Sequence, residues 1–194
     1  MTIAIDIDEV LAELMPTFLE YYNKAYNTSF TNDHFYTYDW SKVLGITEEK
    51  KCKAHDDFIE LGGYKKLNVI DGSKAVIKKI KRKHKLVVIT GRGMTLKGDT
   101  DYWLKRHFPH TFKDIFYIRK NPSSPALRSK AEICKQIKAD VMIEDDMTYA
   151  NSFLEQGTKL LLFNHPWNKE ARENDNLVRV HSWERVQDVI NNIL

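Results

Sequence analysis

Short apolar runs recur along the chain, each ending in a polar or glycine break and followed by a stretch of helical spacing. The runs cover residues 3–7, 86–89, 115–118, 141–143 and 160–163. They are rich in Ile, Val and Leu and lack polar alternation, which suits strands buried on both faces of a parallel sheet. Between them the spacing predicts helices over 73–83, 97–107, 129–138 and 147–156, and a last helix from Ser182. Strands alternating with helices predict an α/β fold, a Rossmann-like parallel sheet with helices on both faces.

The rhythm breaks between Met15 and Asp71. No buried-strand run occurs there, but helical patterns extend through Tyr26 and over 47–61, separated by the aromatic-rich stretch from His34 to Trp40. The expected organisation is a main α/β domain of residues 1–14 and 72–194 with a small helical insertion, 15–71, after the first strand. No internal repeat or low-complexity linker is visible, so the insertion is expected to pack on the main domain.

Composition narrows the classes. A chain of 194 residues, 42% hydrophobic and 29% charged, has enough apolar material for a core and does not read as disordered. Its net charge of +3 does not by itself imply a polyanionic partner. The basic stretch from Lys74 to Lys85 carries one apolar stripe, Ala75, Val76, Ile77 and Ile80, so its lysines read as a solvated face and nucleic acid is not an expected partner. Two cysteines, Cys52 and Cys134, make no disulfide framework, and Cys134 reads as packing beside Ile133 and Ile137. No apolar run approaches the roughly 20 residues needed to cross a bilayer, and no basic region precedes an apolar one at the N-terminus. A cytoplasmic protein is expected.

Chemistry enters where the runs end. The first run leads into Asp6-Ile7-Asp8, two carboxylates one residue apart at a strand end, where ligands bind in open α/β sheets. One carboxylate of such a pair can attack phosphorus and the other can move protons; capping of a following helix is the alternative. The second run ends in Thr90-Gly91-Arg92, a hydroxyl, a backbone N–H and a guanidinium suited to phosphate oxygens, or an ordinary loop start. Ser129 and Glu132 form a capping box that puts Lys130 in the first helical turn. A cation is unfavourable there unless an anion is near, though a solvated surface lysine is the plainer reading. The run 141–143 ends in Glu144-Asp145-Asp146, acids that repel one another without a cation such as magnesium; Asp146 is equally a candidate helix cap.

In chain order these features resemble the four motifs of the haloacid dehalogenase superfamily: Asp6 and Asp8, then Thr90, then Lys130, then Glu144-Asp145. The resemblance covers most of the chain, and the helical insertion corresponds to that superfamily's smaller type of cap. Within the superfamily the chain is most similar to the 5′(3′)-deoxyribonucleotidase group, through Asp6-Ile7-Asp8-Glu9-Val10-Leu11-Ala12, Tyr38-Asp39-Trp40 and His165-Pro166-Trp167-Asn168. It departs from the group in Glu144, where relatives usually carry Asp, and in Gly91-Arg92. The resemblance implies a magnesium-dependent phosphomonoester hydrolase acting on a small phosphate ester, a nucleotide, through a phospho-aspartate on Asp6. Asp8 is then acid and base; Thr90, Gly91, Arg92 and Lys130 hold phosphate; Asp6, Asp145 and Asp8, through its carbonyl, hold Mg2+. Phe35, Tyr38, Trp40 and Trp167 are candidate substrate contacts, with packing inside the cap as the alternative. A homodimer is left open. The rival readings are a polynucleotide 3′-phosphatase and a non-enzymatic phospho-accepting signalling domain.

Overall fold

The computed structural model describes residues 1–148 and 150–193. Six strands form one sheet in the order β3-β2-β1-β4-β5-β6. They are β1 (Thr2–Ile5), β2 (Lys85–Gly93), β3 (Ile115–Arg119), β4 (Val141–Glu144), β5 (Lys159–Phe163) and β6 (Leu177–Val180). Every pairing is parallel, as the unbroken apolar runs predict. The strand order reverses between β1 and β4, so the crevice for a ligand opens at their carboxyl ends.

The strand pattern explains the two-sided burial. Ile3, Ile5, Val88, Ile143 and Leu161 point into one core, shared with α5 (Ser73–Ile80), α6 (Lys97–His107) and α9 (Trp183–Ile193). Ala4, Val87, Ile89, Met142 and Leu160 point into the other, beneath α7 (Lys130–Ile137) and α8 (Ala150–Glu155). The expected helix over 147–156 is thus shorter, and Tyr149 within it lies outside the described residues. Strand β6 is not evident from the apolar pattern: its Val178 and Arg179 are only half buried at the sheet edge, and the run is interrupted by charge.

Strand β1 also ends earlier than its apolar run. Ile7 belongs to a tight turn in which its carbonyl accepts the N–H groups of Leu11 at 2.7 Å and Ala12 at 2.9 Å. The helices α1 (Leu14–Tyr26), α2 (Trp40–Leu44), α3 (Glu48–Glu60) and α4 (Gly63–Lys66) follow before the chain returns to the sheet. Outgoing and returning segments are stitched together: Glu13 N–H donates to Asn68 O at 3.0 Å and Ile70 N–H to Leu11 O at 2.9 Å. Two buried indoles brace this junction, Trp183 donating to Val10 O and Trp103 to Leu67 O, both at 2.8 Å. Among the described residues no helix is long and apolar enough to cross a membrane.

Candidate active site

The backbone places the acids first. Asp6 N–H donates to Ile143 O at 3.0 Å, extending the β1–β4 ladder one residue past β1 and setting Asp6 beside the end of β4. Glu144 and Asp145 leave β4 at the same level, and carboxylate oxygens of Asp6, Glu144 and Asp145 all lie within 4.8 Å of one another. Lys130, at the start of α7, reaches into this cluster: its Nζ is 2.9 Å from Asp6 Oδ2 and 2.7 Å from Glu144 Oε2. The capping box forms as its spacing implies, Glu132 N–H donating to Ser129 Oγ and Ser129 N–H to Glu132 Oε2. It fixes the first turn of α7, so the lysine is buried, not solvated.

Burial dominates the electrostatics here. It pushes Asp6 up to about 8 against the pull of Lys130, and Glu144 up to about 7. Asp145 is raised well above the usual carboxylate range by burial and by Asp6. For Lys130, burial alone would lower the ammonium, but Asp6 and Glu144 outweigh it and hold it charged. One ammonium thus faces three buried acids, and among the described residues Asp6 Oδ1 has no hydrogen-bond partner. A hard divalent cation with oxygen ligands fits that donor set and would favour the carboxylate forms.

Asp8, which lines the same cavity as these acids, is engaged differently. Arg92 presents its fork to it, Nη2 at 2.7 Å from Oδ1 and Nε at 3.0 Å from Oδ2. Thr90 is fully buried, with its Oγ1 accepting the Arg92 N–H at 3.1 Å, while Gly91 has open space where a side chain would stand. Gly93 ends β2 where any Cβ would collide with the Asn121 backbone, which brings the 119–123 loop against the site.

A cavity of about 450 Å³ joins these groups. Of the residues singled out in the sequence, Asp6, Asp8, Gly91, Arg92, Lys130, Asp145, Tyr38, Trp40 and Trp167 line it. Thr90 and Phe35 do not. Phe35 is completely buried between Phe30 and Trp40, so the small helical layer uses it as its own core. Tyr38 spans from that layer to the sheet, its hydroxyl on Asp145 Oδ2 and its ring edge-on to Trp167 at 5.5 Å. Trp167 stacks on His165 at 4.5 Å, and His165 Nε2 meets Glu9 O at 3.0 Å. Asn168 pins the same loop by donating to Asp145 O at 2.8 Å and Phe163 O at 2.7 Å.

Other residues, none of them assigned to the site from the sequence, also reach the cavity. Lys51, Cys52 and His55 come from α3 and Tyr64 from α4. His55-Asp56-Asp57 offers metal-ligand residue types in sequence, with a helix surface as the commoner reading; His55 instead turns inward and meets the Tyr64 hydroxyl at 2.8 Å. Glu144 is visible in the acidic run, but its pairing with Lys130 depends on two elements meeting across the sheet.

Parallel strands in this order, paired aspartates beyond β1 and a lysine bridging Asp6 to the acid that ends β4 are the arrangement that the haloacid dehalogenase resemblance implies. The family described as "5′ nucleotidase, deoxy (Pyrimidine), cytosolic type C protein" matches residues 1–194, and the chain belongs to it. The 5′(3′)-deoxyribonucleotidase of Bacillus subtilis is 30% identical over 188 residues, covering 95% of each chain. A nucleotidase of Clostridium acetobutylicum is 24% identical over 100% of this chain and 95% of its own length. Among solved structures, a haloacid dehalogenase-like hydrolase from Streptococcus pneumoniae superposes with a TM-score of 0.68 at 13% identity, covering 97% of both chains. A HAD hydrolase of Bacillus subtilis bound to magnesium gives 0.61 at 15% identity, covering 98% of both. The protein is a phosphatase of the nucleotidase type, which sets aside the non-enzymatic phospho-accepting domain.

Proposed function

We propose that the protein hydrolyses nucleoside monophosphates, deoxyribonucleotides included, through a phospho-aspartate on Asp6. The observation that carries this is the convergence of Asp6, Asp8, Lys130 and Asp145 on one cavity, with Asp6 Oδ1 unpaired. Asp6, Glu144 and Asp145 would hold Mg2+ together with the Asp8 carbonyl; bound there, the ion offsets the crowded carboxylates and screens phosphate charge.

An Asp6 oxygen attacks phosphorus in line, and the bond to the nucleoside oxygen breaks as that oxygen takes a proton from Asp8. Asp8, now ionised, then takes a proton from a water that attacks the acyl phosphate. The P–O bond to Asp6 breaks, releasing inorganic phosphate and restoring both side chains. Lys130 and the Gly91 N–H neutralise phosphate oxygens while the charge redistributes, with the Thr90 hydroxyl supporting the turn that presents them. Helices α1–α4, residues 15–71, act as a cap whose Tyr38 and Trp40 meet the leaving group and exclude bulk water.

A polynucleotide 3′-phosphatase would draw on Thr90-Gly91-Arg92 and the basic helix for support, but the fork of Arg92 is engaged by Asp8. The deciding experiment is phosphate release with magnesium from a panel of nucleoside 5′- and 3′-monophosphates, sugar phosphates and a 3′-phosphorylated oligonucleotide. Preference for free nucleotides, lost in Asp6→Asn, is the expected result. Turnover that survives Asp6→Asn would sink the phospho-aspartate route.

A further inference from the structure

Arg92 is the guanidinium nearest the reacting groups, and its surroundings leave little freedom. Its side chain is 0% exposed. Nε lies 3.2 and 3.0 Å from the two Asp8 carboxylate oxygens, Nη2 lies 2.7 Å from Oδ1, and Nη1 lies 3.3 Å from Thr100 Oγ1 on α6. The Tyr64 ring of α4 covers one face with its centroid 4.7 Å from Cζ, and the Trp103 ring stands 6.0 Å away. The edge that could grip a phosphate with two parallel N–H groups is therefore already on a carboxylate.

We propose that Arg92 is a positioning residue for Asp8, with Tyr64 holding the guanidinium from the helical layer. This rests on the proposed reaction. Two donors on one carboxylate fix its rotamer and plane, which a lysine could not do through a single ammonium. They also distinguish its oxygens: Oδ1 receives Nη2 and Nε, while Oδ2 receives only Nε. Oδ2 keeps the freer lone pair and is the oxygen that carries the proton to and from the leaving group. The Tyr64 hydroxyl meets His55 Nε2 of α3, and Lys65 of α4 pairs with Asp99 of α6 at 3.1 Å. The orientation of the acid is thereby tied to the helices that enclose the substrate.

The leaving group provides the test. A nucleoside alkoxide needs a proton as it departs; p-nitrophenolate does not. In first-turnover measurements, Arg92→Lys should slow nucleoside release about 100-fold, the scale of general acid catalysis, while p-nitrophenolate release falls less than about 5-fold. Inhibition by inorganic phosphate should be unchanged. Equal slowing with both esters would reduce Arg92 to a structural role and overturn the proposal, as would a large loss of phosphate inhibition, which would make it a phosphate ligand. If circular dichroism shows Arg92→Lys unfolded, Tyr64→Leu takes its place and should give the same split between the two esters. Failure of the unsubstituted protein to release phosphate from either ester would instead overturn the proposed reaction itself.

Discussion

Lys130 holds two buried carboxylates, Asp6 and Glu144, within 2.9 Å of its ammonium. Removing one partner of such a group leaves charge in a low-dielectric site, which costs more than the pair contributes when complete. Lys130→Met should lower stability by about 3–5 kcal/mol, read from the urea midpoint at unchanged slope, and should also abolish turnover. A midpoint within error of the unsubstituted protein would mean that the two acids relax by taking up protons. Glu144→Asp is the complementary change. Shortening the chain by one methylene withdraws the carboxylate from Lys130, which Glu144 Oε2 reaches at 2.7 Å.

At the scale of elements, the helical layer depends on contacts that local propensity does not supply. Helix α1 has no side-chain cap from Glu13; Glu9, four residues earlier, takes the Met15 N–H at 2.5 Å instead. Glu9 does so from the left-handed region, at φ 56, and burial raises its carboxyl to about 8. Glu9→Ala should cost on the order of 1–2 kcal/mol, the usual loss for a helix cap, measured by thermal unfolding. The aromatic segment divides its labour in a way that two substitutions separate. Phe35→Ala removes a completely buried ring and should cost about 3–5 kcal/mol in stability. Trp40 lines the cavity while resting on Phe18 at 4.9 Å. Trp40→Ala should raise KM for nucleotides about tenfold, the scale of one base stacked on an aromatic ring, and leave KM for acetyl phosphate nearly constant. Equal effects on both substrates would make Trp40 part of the layer's core alone.

For the whole molecule, metal and proton binding shift the folding equilibrium. A cation that binds only the folded acids stabilises by mass action, so the melting temperature should climb with magnesium and stop responding in Asp145→Asn. A proton acts oppositely at His55. Burial lowers that imidazole below its ordinary 6.5, so in the folded state it stays neutral where the unfolded chain would already be charged. Above that value both states are neutral and nothing is lost; below it the unfolded chain binds the extra proton and stability falls. Urea unfolding at about pH 7.5 and about pH 5.5 should show a smaller acid-induced loss in His55→Gln than in the unsubstituted protein. Identical losses would mean that His55 titrates as though exposed.

Periodicity alone carries the alternation of strands and helices, because a strand buried on both faces must be apolar throughout and a covering helix needs only one stripe. The acids of the candidate site were legible for a related reason: carboxylates directly after such a run have few uses other than capping or chemistry, and Asp6, Asp8 and Asp145, which the fold brings to one cavity, stand in that position. Lys130 was placed by its capping box, a pattern complete within four residues. Strand β6 was not legible, since an edge strand tolerates Arg179 and loses its contrast with a loop. Tertiary structure alone decided what each polar side chain touches. Arg92 follows Thr90 and Gly91 in sequence as a phosphate ligand would, yet it meets Asp8, 84 residues earlier, because β1 and β2 pair in register and Tyr64 closes over it. Phe35 and Trp40 share one aromatic segment, and only the packing of α1 and α3 sends one inward and leaves the other at the cavity. Such partners are set by the register and packing of distant elements, and local spacing holds no record of either.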